Sequence, residues 1–234
     1  IATDLGNTVV FGAMASGGSL HVFTKEQISH IEYMHGYFAK HSIDCLKIVP
    51  SHWKALKLDE EELLPNKLLI FGGEALSPGR LKEWKEKYPD TRLINMYGIT
   101  ETTVHVTYKE ITDEAIKNNI SNIGKPIPTL SCYVLDQNQN LLPVGSSGEL
   151  YVGGLGVARG YLNRKELTSQ RFIMNPYNKQ EKLYRSGDKV RLLENGELEY
   201  VGRIDDQVKI RGYRIELGEI ESALSQIEGI KQCL

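Results

Sequence analysis

Apolar residues recur at Ile28, Ile31, Met34 and Phe38, a spacing that predicts one helix over 25–41, opened by a capping box at Thr24-Lys25-Glu26-Gln27. A short apolar run at 43–49 ends at Pro50, and 51–58 reads as a second, short helix. Lys67 to Phe71 reads as a buried strand. Ser77 and Pro78 then supply an N-cap and a first-turn proline, and Leu81, Trp84 and Tyr88 carry a helix to Pro89. Arg92 to Met96 predicts another strand. Strand, helix and strand over about thirty residues form a right-handed crossover unit, so the two strands are expected to be parallel with their carboxyl ends on one edge. Ligands of open parallel sheets bind at such an edge. Gly72-Gly73-Glu74-Ala75 follows the first of these strands, and Tyr97-Gly98-Ile99-Thr100-Glu101-Thr102 follows the second.

From about 121 the period changes. Ser131 to Asp136, Asn140 to Val144, Glu149 to Gly153 and Lys182 to Gly202 predict short strands between turn residues, with a helical interruption near 164–170. Asn195-Gly196 predicts a two-residue hairpin turn in which 194 pairs with 197, and Asp188 then falls opposite Arg203. Beyond Asp205, Val208 and Ile210 alternate with Lys209 and Arg211, and Ile220, Leu224 and Ile227 mark a helical stripe. The expected fold class is α/β: a parallel-sheet portion over 1–120, a small antiparallel β-barrel over 121–204, and over 205–234 the start of a small α+β C-terminal subdomain too short to enclose its own core.

Composition narrows the functions. At 234 residues, with 41% hydrophobic and 25% charged residues, the chain is long and apolar enough for a real core, which excludes disorder and collagen. A net charge of −2 gives no basic footprint, so neither nucleic acid nor a membrane surface is an expected partner, and small molecules are. The apolar runs fall short of the ~18 residues of a membrane span. Three widely separated cysteines, Cys45, Cys132 and Cys233, have no metal-ligand spacing and point to a reducing, cytoplasmic setting. His30, His35 and His41 read as faces of one helix. With no initiator Met and an ending like an unfinished strand, the sequence reads as a piece of something larger.

The chemistry-bearing residues each have a plain structural alternative. Tyr97, Gly98, Thr100 and Glu101 offer an aromatic face, a flexible joint, a hydroxyl and a carboxylate suited to a base, a phosphate and a hard cation; equally, Thr100 is a helix N-cap and Tyr97 a core residue. Gly153 to Gly160 fails as a dinucleotide loop, because Arg159 stands where GxGxxG needs glycine, and reads as turn glycines. Asp188 and Arg203 form either a grip on vicinal hydroxyls or an exposed ion pair worth ~0–1 kcal/mol.

Four long motifs in order, NMYGITETT at 95–103, GELYVGG with ARGYLNR at 148–164, YRSGDKVR at 184–191 and GRIDDQVKIRGYRIELGEIE at 202–221, resemble the adenylation domains of nonribosomal peptide synthetases, within the adenylate-forming superfamily. The resemblance covers essentially the whole chain. It implies activation of an amino acid by MgATP to an aminoacyl adenylate, then loading onto the phosphopantetheine thiol of a peptidyl carrier protein beside a condensation domain. By the same resemblance, Tyr97 stacks on adenine and Asn95 meets its amino group, with Gly73, Glu74, Ala75 and Gly98 along the base. Thr100 contacts phosphate, Glu101 holds Mg2+, and Asp188 holds the ribose with Tyr200 and Arg203. Asp205 is the hinge of the small subdomain, and Gly212 approaches the pantetheine arm.

Asp4 matches the carboxylate for the substrate's ammonium group, and Leu5, Thr8, Lys47, Ile70, Gly72, Met96, Val104 and His105 match the side-chain pocket. Lys47 suggests a polar or acidic substrate such as aspartate or asparagine, unless it lies on the surface, although Met96 and His105 depart from the patterns of those two. The family's phosphate loop is expected upstream of Ile1 and its catalytic lysine beyond Leu234, so the chain alone is not expected to be a competent enzyme, and its last thirty residues are expected to be mobile. Two alternatives remain: an acyl- or aryl-acid ligase of the same superfamily, which Asp4 disfavours, and a non-catalytic nucleotide-binding remnant.

Overall fold

A computed structural model describes residues 4–59, 61–210, 212–227, 229 and 230. The elements, in chain order, are α1 (Asn7–Ser16), α2 (Lys25–Ile28), α3 (Ile31–Lys40), β1 (Cys45–Ile48), α4 (Pro50–Ala55), β2 (Leu68–Gly72), α5 (Lys82–Lys87), β3 (Arg92–Tyr97), β4 (Thr107–Glu110), α6 (Asp113–Asn118), β5 (Asn122–Pro126) and β6 (Leu130–Leu135). There follow β7 (Ser147–Gly154), α7 (Lys165–Arg171), β8 (Phe172–Met174), β9 (Lys182–Leu192), β10 (Leu198–Arg203), β11 (Val208–Ile210), β12 (Tyr213–Ile215) and α8 (Leu217–Ser225).

One ten-stranded sheet runs in the order β1-β2-β3-β4-β5-β10-β9-β7-β6, with β8 added to β9. The first three strands are parallel, and β2 lies directly beside β3, as the crossover pattern requires. From β3 onward every pairing is antiparallel. Two cores result. Under the parallel strands, Trp53, Phe71, Trp84 and Leu93 are buried together, with Trp53 edge-on to both Phe71 and Trp84. The antiparallel strands curl around Val106, Ile123, Leu150, Val152, Tyr184 and Leu198, the barrel-like portion expected from the short strands. Strands β11 and β12 pair only with each other.

Several expected elements take a different form. The helix expected over 25–41 is broken into α2 and α3: Thr24 and Gln27 do make the capping box, but His30 adopts an extended conformation and its ring accepts the Tyr33 N–H, starting a new helix. Ser77 does not cap; its hydroxyl donates to Asn119 Oδ1 while Pro78 opens a 3-10 turn before α5. In place of a strand at Asn140–Val144 there is a single bridge between Leu135 and Leu141. Thr100 is not an N-cap either, for Thr100–Thr102 is a 3-10 turn preceded by Ile99 with no side-chain cap.

The β9–β10 hairpin reaches the expected register by another route. Its loop has three residues, Glu194-Asn195-Gly196, closed by Leu193 N–H donating to Glu197 O at 2.8 Å, and Gly196 takes φ +77° as such loops demand. That turn alone would shift the ladder by one residue. A bulge between Tyr200 and Gly202 shifts it back, so Asp188 does stand opposite Arg203.

Close approach fixes one glycine of β5. At Gly124, φ is +80° and an added Cβ would lie 1.8 Å from Tyr108 O on β4, where no side chain can yield. Gly124→Ala is therefore expected to lower the unfolding free energy by ~2 kcal/mol or more. Gly145→Ala, with φ +88° but open space around it, is expected to cost only about 1 kcal/mol. Denaturant midpoints of the two variants check this, and equal midpoints would contradict it.

Candidate active site

The carboxyl ends of β2 and β3 open onto a cleft of about 580 Å3, lined among others by Asp4, Lys47, Thr100, His105, Asp188 and Arg203. Chain direction explains the assembly: the parallel strands deliver Gly72 to Ala75 and Tyr97 to Glu101 to the same edge, and the hairpin brings Asp188 and Arg203 over it. Gly98 has no room for a side chain, since a Cβ there would lie 1.7 Å from Val104 O. The chain doubles back immediately afterwards. Thr103 and Val104 both take positive φ, +63° and +70°, conformations that β-branched residues adopt only under constraint.

Asp188 is 1% exposed. Its Oδ1 accepts from Arg203 Nη1 at 2.9 Å, and its Oδ2 accepts from the Tyr97 hydroxyl at 2.5 Å. Arg203 also donates to Ser186 O and, through Nε and Nη2, to both oxygens of Asp205 at 2.8 and 2.7 Å. The exposed-ion-pair alternative for Asp188 and Arg203 therefore does not hold. Burial, then the Asp188 charge, holds the Tyr97 phenol protonated by raising its pKa well above the usual value. Tyr97 is itself 7% exposed, its ring tilted against Tyr200 with centroids 6.4 Å apart.

Beside Tyr97 lies a slot of about 30 Å3 lined by Gly73, Glu74, Ala75, Asn95, Gly98 and Tyr200 among others. Asn95 is buried and donates to Asn122 O, which fixes its amide at the floor. Glu74 is turned elsewhere: it accepts from Ser51 N–H and Oγ–H and from Gly212 N–H, tying the loop after β2 to α4 and to the β11–β12 turn.

Glu101 sits in a compact polar cluster. The Tyr161 hydroxyl donates to its Oε1 at 2.6 Å, and Arg214 Nη1 lies 2.9 Å from each oxygen. Burial would raise the Glu101 pKa, but the Tyr161 hydrogen bond and the Arg214 charge outweigh it and hold the carboxylate ionised. Thr100 is exposed at the cleft. Among the described residues no group of three or more His, Cys, Asp or Glu could cage a metal. A single carboxylate oxygen donor of this kind suits Mg2+, which keeps waters and leans on substrate phosphates.

At the other end of the cleft, Lys47 Nζ lies 2.7 Å from Leu5 O, Thr8 Oγ1 and His105 Nε2. Thr8 and His105 are also hydrogen-bonded. The surface alternative for Lys47 is thus excluded. Burial lowers the Lys47 pKa to about 8, opposed by Asp4, and lowers that of His105 to about 4, helped by the Lys47 charge. His105 is then neutral near pH 7, with Nε2 as acceptor and the proton on Nδ1. Leu5, Met96 and Val104 line the same cleft, whereas Ile70 is 4% exposed beside Lys47 in the sheet and Gly72 pairs with Met96.

Three further participants, Tyr161, Arg214 and Lys209, lie within the quoted motifs, but no spacing of residues marks their part in the site. The Lys209 pKa is lowered by burial, and its side chain lines both the slot and the cleft. Their partners lie as much as 113 residues away in sequence, so no local spacing betrays them.

Comparison with known proteins identifies the family. The chain is 52% identical over 226 residues to a plipastatin synthase of Bacillus subtilis (strain 168), covering 95% of this chain and 9% of that protein. It is 42% identical over 224 residues to gramicidin S synthase 1 of Brevibacillus brevis, covering 96% of this chain and 20% of that one. The chain thus spans a fifth or less of these curated relatives. Among solved structures, an NRPS protein containing adenylation and PCP domains, bound to a vinylsulfonamide inhibitor, superposes with a TM-score of 0.88 at 28% identity, over 100% of this chain and 41% of that one. A four-domain nonribosomal peptide synthetase bound to AMP and glycine matches with a TM-score of 0.70 at 41% identity, over 92% of this chain and 16% of that one. The AMP-binding enzyme profile matches residues 1–162, and the chain belongs to that family.

Proposed function

We propose that this chain carries the nucleotide and substrate sites of an amino-acid adenylation domain in a nonribosomal peptide synthetase. In that reaction a substrate carboxylate oxygen attacks the α-phosphorus of ATP, the bond to the bridging oxygen breaks, and pyrophosphate leaves. A pantetheine thiol, having lost its proton, then attacks the acyl carbon and AMP departs. The observation that carries this reading is the single cleft that Asp4, Lys47, Thr100, His105, Asp188 and Arg203 line together. One end offers a carboxylate and an ammonium to an amino acid, and the other offers a hydroxyl and a carboxylate–guanidinium pair to a nucleotide. Relatives named for peptide synthesis, and a similar structure bound to AMP and glycine, support it.

In this reading Asn95, Tyr97, Gly98 and the loop Gly73 to Ala75 border the adenine, Asp188, Tyr200 and Arg203 hold the ribose, and Thr100 meets a phosphate. Glu101 would hold Mg2+, which supplies charge neutralisation on the phosphates. Asp4 pairs with the substrate ammonium; Leu5, Thr8, Lys47, Ile70, Gly72, Met96, Val104 and His105 shape the side-chain pocket. Residues 1–120 and 121–204 form the large subdomain and 205–234 begin the small one, with Asp205 at the hinge. The carrier and condensation partners and a cytoplasmic setting follow from the same reading.

Asp4, a half-buried carboxylate lining the cleft, favours an amino acid over an acyl or aryl acid, because its charge suits a cationic partner there. Among the described residues, Lys47 has three neutral hydrogen-bond acceptors but no carboxylate in contact. A short acidic side chain would supply the missing charge.

AMP binding to the chain, measured by calorimetry, is expected to weaken tenfold or more in Asp188→Ala, a loss of about 1.4 kcal/mol; unchanged affinity would remove the ribose role. The 234 residues alone are expected to give no robust amino-acid-dependent pyrophosphate exchange, and brisk turnover would refute that.

Aspartate affinity is expected to fall as pH rises through about 8, where Lys47 loses its charge in the free protein. The sign follows from the ammonium being present below that pH and absent above it. Lys47→Met is expected to bind aspartate at least tenfold more weakly and with a flat profile over that range. A wild-type profile that is also flat would sink the Lys47 assignment.

A further inference from the structure

Asn195-Gly196 is the only Asn-Gly pair in the sequence, and both residues are exposed at the tip of the β9–β10 hairpin. Such a pair can modify itself, because glycine has no Cβ to shield its amide nitrogen. That nitrogen loses its proton and bonds to Asn195 Cγ, and the side-chain nitrogen takes up a proton and leaves as ammonia. Water then opens the five-membered imide at either carbonyl, adding hydroxyl to the carbon and hydrogen to the nitrogen. The products are aspartate or isoaspartate at position 195.

In the folded chain both reacting groups are already engaged. The Gly196 N–H donates to Leu193 O at 2.9 Å. Asn195 Oδ1 accepts the Glu197 N–H at 3.0 Å, and its Nδ2 donates to Glu197 Oε2 at 3.0 Å, so both ends of the amide are held by one residue. Glu197 is itself anchored. Its carboxylate is 13% exposed and accepts from Lys109 Nζ on β4 at 2.5 Å and from Asn122 Nδ2 on β5 at 2.7 Å. An exposed turn is thereby held by a carboxylate rooted in two strands of the sheet. Attack on Cγ requires the tip to open and these bonds to part.

We propose that Asn195 is a site of spontaneous deamidation guarded by Glu197, and that its product undoes the guard. The aspartate form replaces the Nδ2 donor by a carboxylate oxygen facing Glu197 Oε2 and sets two like charges against each other. The isoaspartate form routes the backbone through the former side chain, which adds one carbon to a loop closed by Leu193 and Glu197. Either product loosens Glu197 from Lys109 and Asn122, the contacts that tie the hairpin tip to β4 and β5. The lost ammonia does not return, so the converted fraction records the accumulated time the tip has spent open.

Peptide mapping by mass spectrometry, on the chain aged in mildly alkaline buffer, follows the exchange of amide for carboxylate at position 195. The folded wild type is expected to convert at least tenfold more slowly than the same chain in urea, and Glu197→Ala at least threefold faster than the folded wild type. Lys109→Met, which frees the Glu197 carboxylate without touching Asn195, is expected to fall between. Protected amides in the buried strands β7 and β9 confirm that each variant is folded. Should Glu197→Ala unfold, Lys109→Met decides alone by converting faster than the wild type. A folded wild type that converts as fast as the chain in urea, or folded variants that convert no faster than the wild type, overturns the guard. Thermal melts read the effect of the product. Asn195→Asp is expected to melt below the wild type, and the gap is expected to close when Glu197→Gln removes the facing charge. A gap that persists there, or no gap at all, overturns the claim that the product undoes the guard.

Discussion

The two arms of one hairpin and a strand 91 residues earlier in the sequence meet at one buried carboxylate. Asp188 on β9 is held by Tyr97 at the end of β3 and by Arg203 on β10, and Arg203 in turn grips Asp205 where the chain leaves the sheet. A carboxylate that is 1% exposed is tolerable only because both oxygens are bonded and a guanidinium supplies the counter-charge. Losing Arg203 strands that charge at a cost of roughly 3–5 kcal/mol. The position of the cleft's Asp188 end, the pitch of the hairpin and the exit path of the final segment all depend on this one cluster.

Its electrostatics also organise what surrounds it. Arg203 bonds two carboxylates at once, one on the sheet and one two residues along the chain, so the segment after β10 begins under charge control. A few residues later Arg214 repeats the device with Glu101, and Gly212 with Glu74. The uncharged contacts at the Lys47 end differ in kind: Lys47 leans on a carbonyl, a hydroxyl and a neutral imidazole, which satisfy its hydrogen bonds and, among the described residues, leave its charge without a contacting carboxylate.

Much of this is legible in local spacing, and the exceptions have physical causes. The β2–α5–β3 unit and the edge it creates follow from apolar runs and a crossover of ordinary length. A two-residue turn predicts the Asp188–Arg203 pairing, whereas the chain uses a three-residue turn and cancels the shift with a bulge at the exposed Val201. Periodicity does not reveal the break at His30, since the apolar stripe runs through it unbroken; only the ring's bond to Tyr33 N–H ends the first helix. Strand β4 and helix α6 lie in a stretch with no clear period. Tyr161 and Arg214 owe their roles to contacts spanning 60 and 113 residues, which no window along the chain can contain.

Strand β5 is shared. Its Lys125 and Pro126 pair with β4 on the parallel side, while Asn122 and Gly124 pair with β10 on the antiparallel side. The two larger hydrophobic cores are therefore bridged by one five-residue strand, Asn122–Pro126, whose ends pair toward opposite sides. Loosening either core removes a wall of β5 and exposes the ladder of the other, so loss of structure on one side propagates to its neighbour. The shared strand is therefore expected to couple thermal or chemical unfolding of the two cores into one cooperative event, despite their separate interiors.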